Sequence, residues 1–421
     1  RALSDAQMNS TNTLYDALGP VLGKYYKDAA DAGKLPKTAQ FLSDMNKSAS
    51  TGVAKATYQH PRPYVDRVNF NGTTLNMNGL KQTLNIKKVP GYENFDWGDG
   101  EAPDNEYDGL YNSGSFPSGH TTFAFTQGAG LAYLLPELGP EIMTRVSEAG
   151  NNRIVLGVHY PLDIMGGHIA GQYGVATAVS GEKTAQEGAA ARAELVDYLT
   201  AQCKADNHGD TLDACITNTG ANAANGYRND FTDEVSTKPV TDRASALAAY
   251  KARMTYGFQA TGTTGQAPVV PDSAVRMFDN VAAFKSLDSA QKKAVLAATE
   301  GDSGYPLDAS SQGWARVNLA AAYSAKVTLS ADGKNVVKVE PGQAQASVVR
   351  ETSGSNGNNG GNGNGGSNAG NTGVNNASGR NPSGTQPLSK TGADVSGIAS
   401  AFILIAAAGV TITMIRRKHA I

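Results

Sequence analysis

Three short runs of residues hold side chains able to break a phosphoester: Lys55-x6-Arg62-Pro63, Pro117-Ser118-Gly119-His120 and Arg153-x5-His159-x3-Asp163. Together they supply three permanent cations, two histidines, one carboxylate and a glycine-flanked turn. Cations neutralise phosphoryl oxygens, one imidazole attacks phosphorus, the other protonates the leaving group, and a carboxylate orients the attacker. That inventory is what phosphoester cleavage needs in the absence of a metal, and consistently no clustered His/Cys/Asp set has zinc or di-metal spacing.

The elements that must position these groups follow from local pattern. Pro117 suits the first turn of a helix, and the apolar, small-residue stretch 121–135 reads as a buried helix. Ser118, Gly119 and His120 then lie where unpaired backbone N–H groups can hold an oxyanion. Arg153 ends a polar stretch and begins an apolar segment, 154–158, expected to be buried; an arginine there wants an anionic partner. Pro161 starts the next helix, placing Asp163 in its first turn. A carboxylate four residues after His159 can hold one ring nitrogen and leave the other as nucleophile. Lys55 near the end of a helix over 37–59 and Arg62 just beyond it add a point charge and a planar fork. Of the remaining histidines, His60 sits in a variable position of the first run and is a candidate for the pocket rim, whereas His168 reads as a packing or capping residue.

Taken in order, these runs resemble the type 2 phosphatidic acid phosphatase superfamily, which includes bacterial non-specific acid phosphatases and vanadium-dependent haloperoxidases. The likeness covers roughly residues 40 to 180. The family pattern is Lys-x6-Arg-Pro, Pro-Ser-Gly-His and Ser-Arg-x5-His-x3-Asp, and this chain departs at one place, with Asn152 where serine is usual. Segments 304–308 and 314–319 also look like secreted bacterial members. The resemblance implies a mainly α fold, a helical-bundle core with small β-hairpins in insertions. It implies that His159 becomes a phosphohistidine, that Asp163 holds its imidazole, and that His120 protonates the alkoxide and then activates water. Lys55, Arg62, Ser118, the Gly119 amide and Arg153 would bind the phosphoryl oxygens.

The expected activity is that of an acid phosphatase on phosphomonoesters, with a mildly acidic optimum. Two alternatives come from other classes. One is a vanadate-dependent haloperoxidase, with the equivalent of His159 bonded to vanadium; vanadate is a cofactor only under that reading. The other is a wall-anchored binding protein with an inert phosphatase-like core, in which residues 205–345 bind a partner or glycan. A net charge of −2 gives no basic field for nucleic acid.

Organisation changes after residue 345. Residues 346–387 form a Gly/Asn/Ser-rich flexible linker, and 388–421 combine Leu388-Ser389-Lys390-Thr391-Gly392, an uncharged apolar run over 395–415 and the basic Arg416-Arg417-Lys418. This tail resembles a sortase sorting signal of Gram-positive bacteria, with Ser389 in place of proline. It implies cleavage between Thr391 and Gly392, transient membrane retention and attachment to peptidoglycan; a plain C-terminal membrane anchor is the other reading. The chain opens on Arg1 with no methionine and no hydrophobic leader, so a signal peptide is expected to have been removed. In such an exported, wall-displayed protein, the two cysteines, Cys203 and Cys215, are expected to form a local disulfide.

The helical phosphatase domain is expected over 1–345, its extension starting near 185. Helices are predicted near 4–18, 37–59, 120–135, 139–149, 161–180, 188–202, 240–256, 272–286, 288–299 and 311–324. Hairpins are predicted at Asn71-Gly72 and Asp332-Gly333. The connection between Pro63 and Pro117, with Tyr92, Phe95, Trp97 and Tyr107, is expected to shape the rim of the pocket.

Overall fold

Proline and capping side chains set most of the helix starts. The computed structural model describes residues 1–92, 106–219, 227–232, 238–309 and 311–352. Among these are fourteen α-helices: α1 (Ala2–Ala6), α2 (Ser10–Leu14), α3 (Pro20–Asp31), α4 (Pro36–Asn46), α5 (Gly52–Tyr58), α6 (Glu106–Gly109) and α7 (Gly119–Leu134), followed by α8 (Gly139–Val155), α9 (Pro161–Ala178), α10 (Glu182–Ala205), α11 (Leu212–Asn218), α12 (Arg243–Thr255), α13 (Ser289–Thr299) and α14 (Leu319–Tyr323). The fold is mainly α.

Helix α7 is apolar all round and buried over nearly its whole length, as a central helix must be. It lies between α8 and α9, and glycines permit the close approach. A Cβ on Gly128 would come within 2.3 Å of Val146 Cγ1 in α8, and one on Gly171 of α9 within 2.4 Å of Phe125 Cβ. On another side α4 packs against α7, with Leu42 and Met45 over Gly130. Helix α10 closes that layer, its Glu194 accepting from the Thr38 backbone N–H at 2.8 Å. Cys203 in α10 and Cys215 in α11 form a disulfide, their Cα atoms 5.9 Å apart.

A three-stranded sheet follows: β1 (Lys326–Leu329), β2 (Val336–Glu340) and β3 (Ser347–Arg350), in the order β2-β1-β3. The β1–β2 pair is the expected hairpin at Asp332-Gly333, antiparallel; β3 joins β1 in parallel from residues assigned by sequence to the linker. Val327 and Leu329 are the buried face of β1. The rest of the linker, the apolar run 395–415, Thr391 and Gly392 lie outside the described residues, as do Phe95 and Trp97. Among the described residues, no helix is long and apolar enough to cross a membrane.

Several expectations are corrected. The hairpin at Asn71-Gly72 is absent, because the chain wraps around Asp66 instead. That carboxylate accepts from Val68 N at 3.0 Å, Asn69 N at 3.2 Å and Thr83 Oγ1 at 2.8 Å, a local competitor of strand pairing. The single helix expected over 37–59 is two, α4 and α5, and the one over 4–18 is α1 and α2 followed by a 3₁₀ turn (Tyr15–Leu18). The 272–286 segment is two 3₁₀ turns, Asp272–Phe278 and Ala282–Ser286. The helix expected over 311–324 contracts to α14, where Asn318 caps the Ala321 N–H. Helix α8 runs on to Val155, so Arg153 is helical and Val155, one residue from the buried Ile154–Val158 expectation's start, is 57% exposed.

Candidate active site

The starts of α7 and α9, the end of α8 and the α5 region meet at one end of the bundle. Small residues make this possible. A Cβ on Gly167 of α9 would lie 2.8 Å from the Ser118 carbonyl oxygen, and one on Gly150 of α8 would lie 2.9 Å from Thr121. The Ser118 N–H donates to the Asp163 carbonyl at 3.0 Å, joining the two helix starts directly. Pro117 precedes the helix rather than opening it. Ser118 is the cap, its hydroxyl accepting from Thr121 N at 3.2 Å and from Thr121 Oγ1 at 2.9 Å. Neither bond uses the serine's own proton, and Gly119 is the first helical residue.

His159 is buried and held from both sides. Its Nδ1 donates to Asp163 Oδ2 at 3.1 Å, and its Nε2 faces Arg62 Nη1 at 3.0 Å. A guanidinium only donates, so Nε2 holds a lone pair and Nδ1 the proton. Burial, reinforced by the charges of Arg62, Arg153 and Lys55, pushes the His159 imidazolium well below the usual histidine range. Asp163 also accepts from Tyr160 N at 2.8 Å and from Ser115 Oγ at 3.3 Å. Burial raises its pKa to about 6, against the opposing pull of the Tyr160 N–H, Arg62 and Lys55.

The cations surround this pair. Arg62, 3% exposed, also donates through Nη1 to the Val158 carbonyl at 3.0 Å and through Nη2 to Ser113 Oγ at 3.4 Å. Arg153, 1% exposed, donates through Nη2 to the Tyr92 hydroxyl at 2.7 Å, with its guanidinium 5.4 Å from that ring's centre. Arg62 Nε, Arg153 Nε and Arg153 Nη1 are buried N–H groups with no partner among the described residues. Buried donors of a charged group are costly to leave unpaired, so the arrangement calls for an anion. Lys55 donates to the Gly114 carbonyl; burial first, then Arg62, lowers its pKa to about 7.

His120 stands in the same charge field, lowered well below its ordinary value by burial and then by Arg153, with Arg62 and Lys55 adding to it. Its Nε2 lies 3.1 Å from the Ala6 carbonyl oxygen, to which it donates. The sequence-derived set of Lys55, Arg62, Ser118, Gly119, His120, Arg153, His159 and Asp163 is thus one constellation.

Asn152 does not turn toward Arg153. Its carboxamide donates to Asp5 Oδ2 at 2.7 Å. His60 makes contact with the site at one remove, its Nδ1 being 3.1 Å from Ser115 Oγ. His168 is a packing residue, stacked on Phe125 with a 4.1 Å ring separation and 2.8 Å from the Tyr250 hydroxyl. Sequence reasoning missed Ala6, Ser113 and Ser115 and did not give Tyr92 its contact with Arg153. Ser115 was the nearest to being found, two residues before Pro117.

The chain is similar to known proteins in two ways. Two curated relatives are an acid phosphatase of Zymomonas mobilis, 40% identical over 62 residues, and a non-specific acid phosphatase of Providencia stuartii, 33% identical over 72. The first match covers 15% of this chain and 24% of the relative; the second covers 17% and 29%. The chain therefore spans under a third of the length of the curated relatives it matches. The family likeness is longer and contains every expected catalytic and phosphate-binding residue: residues 39–185 match the PAP2 superfamily.

Proposed function

We propose that this protein is a metal-independent phosphatase of the acid-phosphatase type, cleaving phosphomonoesters through a phosphohistidine on His159. The observation that carries the reading is the pairing of a neutral, buried His159, lone pair on Nε2, with unpartnered N–H groups on Arg62 and Arg153. A phosphoryl group entering there meets a nucleophile and its counter-charges at once. The names of the two relatives support the same class of substrate.

In the proposed reaction, phosphoryl oxygens engage Arg62, Arg153, Lys55, the Gly119 N–H and the Ser118 hydroxyl. His159 Nε2 attacks phosphorus as the ester P–O bond breaks, and His120 gives its proton to the departing alkoxide. Asp163 stabilises the cationic imidazole that forms. His120, now neutral, takes a proton from water; the hydroxyl attacks phosphorus, the P–N bond breaks, and phosphate and free His159 result. Charge spread over the phosphoryl oxygens in the transition state is where the arginines act most strongly. Quenching a reacting sample in alkali, where phosphohistidine survives, and mapping the added phosphoryl group tests this. A group on His159 supports the reading. Bromination dependent on peroxide and vanadate, without phosphate release, assigns the site to the haloperoxidase alternative.

We further propose display at a Gram-positive cell surface through the C-terminal signal, with a sortase cutting after Thr391. The Cys203–Cys215 disulfide suits an oxidising compartment. Recovery of the protein in the wall fraction, ending at Thr391 and linked to peptidoglycan, is the expected result; recovery of an intact tail in the membrane fraction contradicts it.

A further inference from the structure

We propose that helix α1 is a working part of the active site: the Ala6 carbonyl orients His120 and favours its protonated form, and Asp5 is the positioning residue that holds that carbonyl in place. The inference rests on His120 being the acid of the proposed phosphatase, and it involves a segment outside the 39–185 family match.

The two histidines of the site face the same difficulty. Each must carry a positive charge during the reaction, amid Lys55 on α5, Arg62 just after it and Arg153 on α8. For His159 the counterpart is the Asp163 carboxylate at 3.1 Å. For His120 the counterpart is a backbone oxygen, Ala6 O at 3.1 Å from Nε2. A carbonyl can only accept, so Nε2 keeps its proton in both charge states and the proton exchanged with substrate is the one on Nδ1. The Ala6 hydrogen bond favours the cation, against burial and the charges of Arg153, Arg62 and Lys55.

A five-residue helix does not stay in place by its own hydrogen bonds. Asp5 fixes it. Its carboxylate is buried and accepts two parallel bonds from Arg145, Nη2 to Oδ1 at 2.6 Å and Nη1 to Oδ2 at 3.1 Å. Asn152 adds a third, at 2.7 Å. Both partners lie on α8, the helix that also carries Arg153. Ala6 itself is fully buried in a small cluster with Tyr92, Tyr107, Leu156 and Val158. Asn152, the one departure from the family pattern, is therefore part of the clamp that seats the carbonyl over His120.

The test compares esters that differ in their need for an acid. A dinitrophenolate leaves unprotonated, whereas a glycerol alkoxide does not. In full-length Asp5→Asn, kcat/KM for glycerol phosphate is expected to fall at least tenfold further than for 2,4-dinitrophenyl phosphate. A second variant touches no side chain: replacing Gln7 by its α-hydroxy analogue turns the Ala6 carbonyl into an ester, a weaker acceptor, and the same selective loss is expected. Equal losses on both esters, or none, overturn the proposal. The ring-nitrogen NMR shifts of His120 in the parent give a readout independent of activity: a neutral ring protonated on Nε2 is expected, and one protonated on Nδ1 overturns the placement. A parent inactive on both esters refutes the phosphatase reading, and the tautomer then decides the contact by itself.

Discussion

Arg62 Nη1 covers the lone pair of His159 Nε2 at 3.0 Å, so the atom read as the nucleophile is hydrogen-bonded in the resting protein. The contact fixes the tautomer and suppresses protonation of the ring. In the proposed reaction Arg62 is also a gate, since a phosphoryl oxygen that takes over this N–H uncovers the lone pair. Arg62→Ala should lower kcat/KM for aryl phosphates by about 10²–10³. Arg62→Lys should recover little, because an ammonium lacks the fork that reaches His159, Val158 and Ser113 together. Steady-state kinetics of the two variants beside the parent decide it, and unimpaired turnover in Arg62→Ala removes the gate.

Anion binding should weaken as pH rises through neutrality. Lys55, lowered to about 7 by burial and then by Arg62, is charged below that value in the free protein and neutral above it. A bound dianion favours the charged form, so binding above pH 7 must take up a proton. Sulfate is the suitable probe because its own charge is constant over this range. Its Kd, measured by calorimetry from pH 5 to 9, should rise above pH 7 by up to about tenfold per unit. The same shift acts on stability. The unfolded chain binds the lysine proton up to its ordinary value of 10.5 and the native protein only to about 7, so this contribution to stability grows between those values and is lost as pH falls back through them. A pH-independent sulfate Kd counts against Lys55 as an anion contact.

Ser115 should matter for rate rather than affinity. It links His60 Nδ1, at 3.1 Å, to Asp163 Oδ1, at 3.3 Å, and so fixes the carboxylate whose other oxygen holds His159. Since an ionised carboxylate only accepts, the serine donates to Asp163 and takes its own bond from His60. A hydrogen bond to a charged group contributes about 1.5–3 kcal/mol. Ser115→Ala should therefore reduce kcat about tenfold or more with KM nearly unchanged, and Asp163→Asn, which permits the wrong tautomer, should cost about 10⁴. A Ser115→Ala effect confined to KM would place the serine on the substrate instead.

The disulfide should affect stability and not chemistry. It ties α10 to α11, with 12 residues of sequence separation, and closing a loop of this size is worth about 3 kcal/mol. The double variant Cys203→Ser, Cys215→Ser should unfold at lower denaturant while keeping the parent kcat at 25 °C. A loss of kcat in the folded variant would tie α10 and α11 to the site.

The side chains of the candidate site were legible in the sequence because three compact motifs carry them and proline and capping residues mark the helices between. What the sequence did not reveal is of two kinds. Ala6 meets His120 through its backbone oxygen, which every residue type has, and Asp5 reaches Arg145 across 140 positions. Tyr92 and Ser113 come from the long connection, where no period places a side chain. The failed hairpin at Asn71-Gly72 has a separate cause: a turn dipeptide needs two arms that pair, and Asp66 offers the first arm's backbone a nearer acceptor. Asn152 stands where the family pattern has serine, and the structure shows its carboxamide holding Asp5, a partner too far along the chain for the motif to reveal.

The most direct test of the account is hydrolysis of p-nitrophenyl phosphate in excess EDTA, comparing the parent chain with His159→Ala. The parent's rate is expected to be unchanged by EDTA and to fall by at least about 10³ in the variant, which lacks the proposed nucleophile. Parent activity abolished by the chelator, or retained without His159, would contradict it.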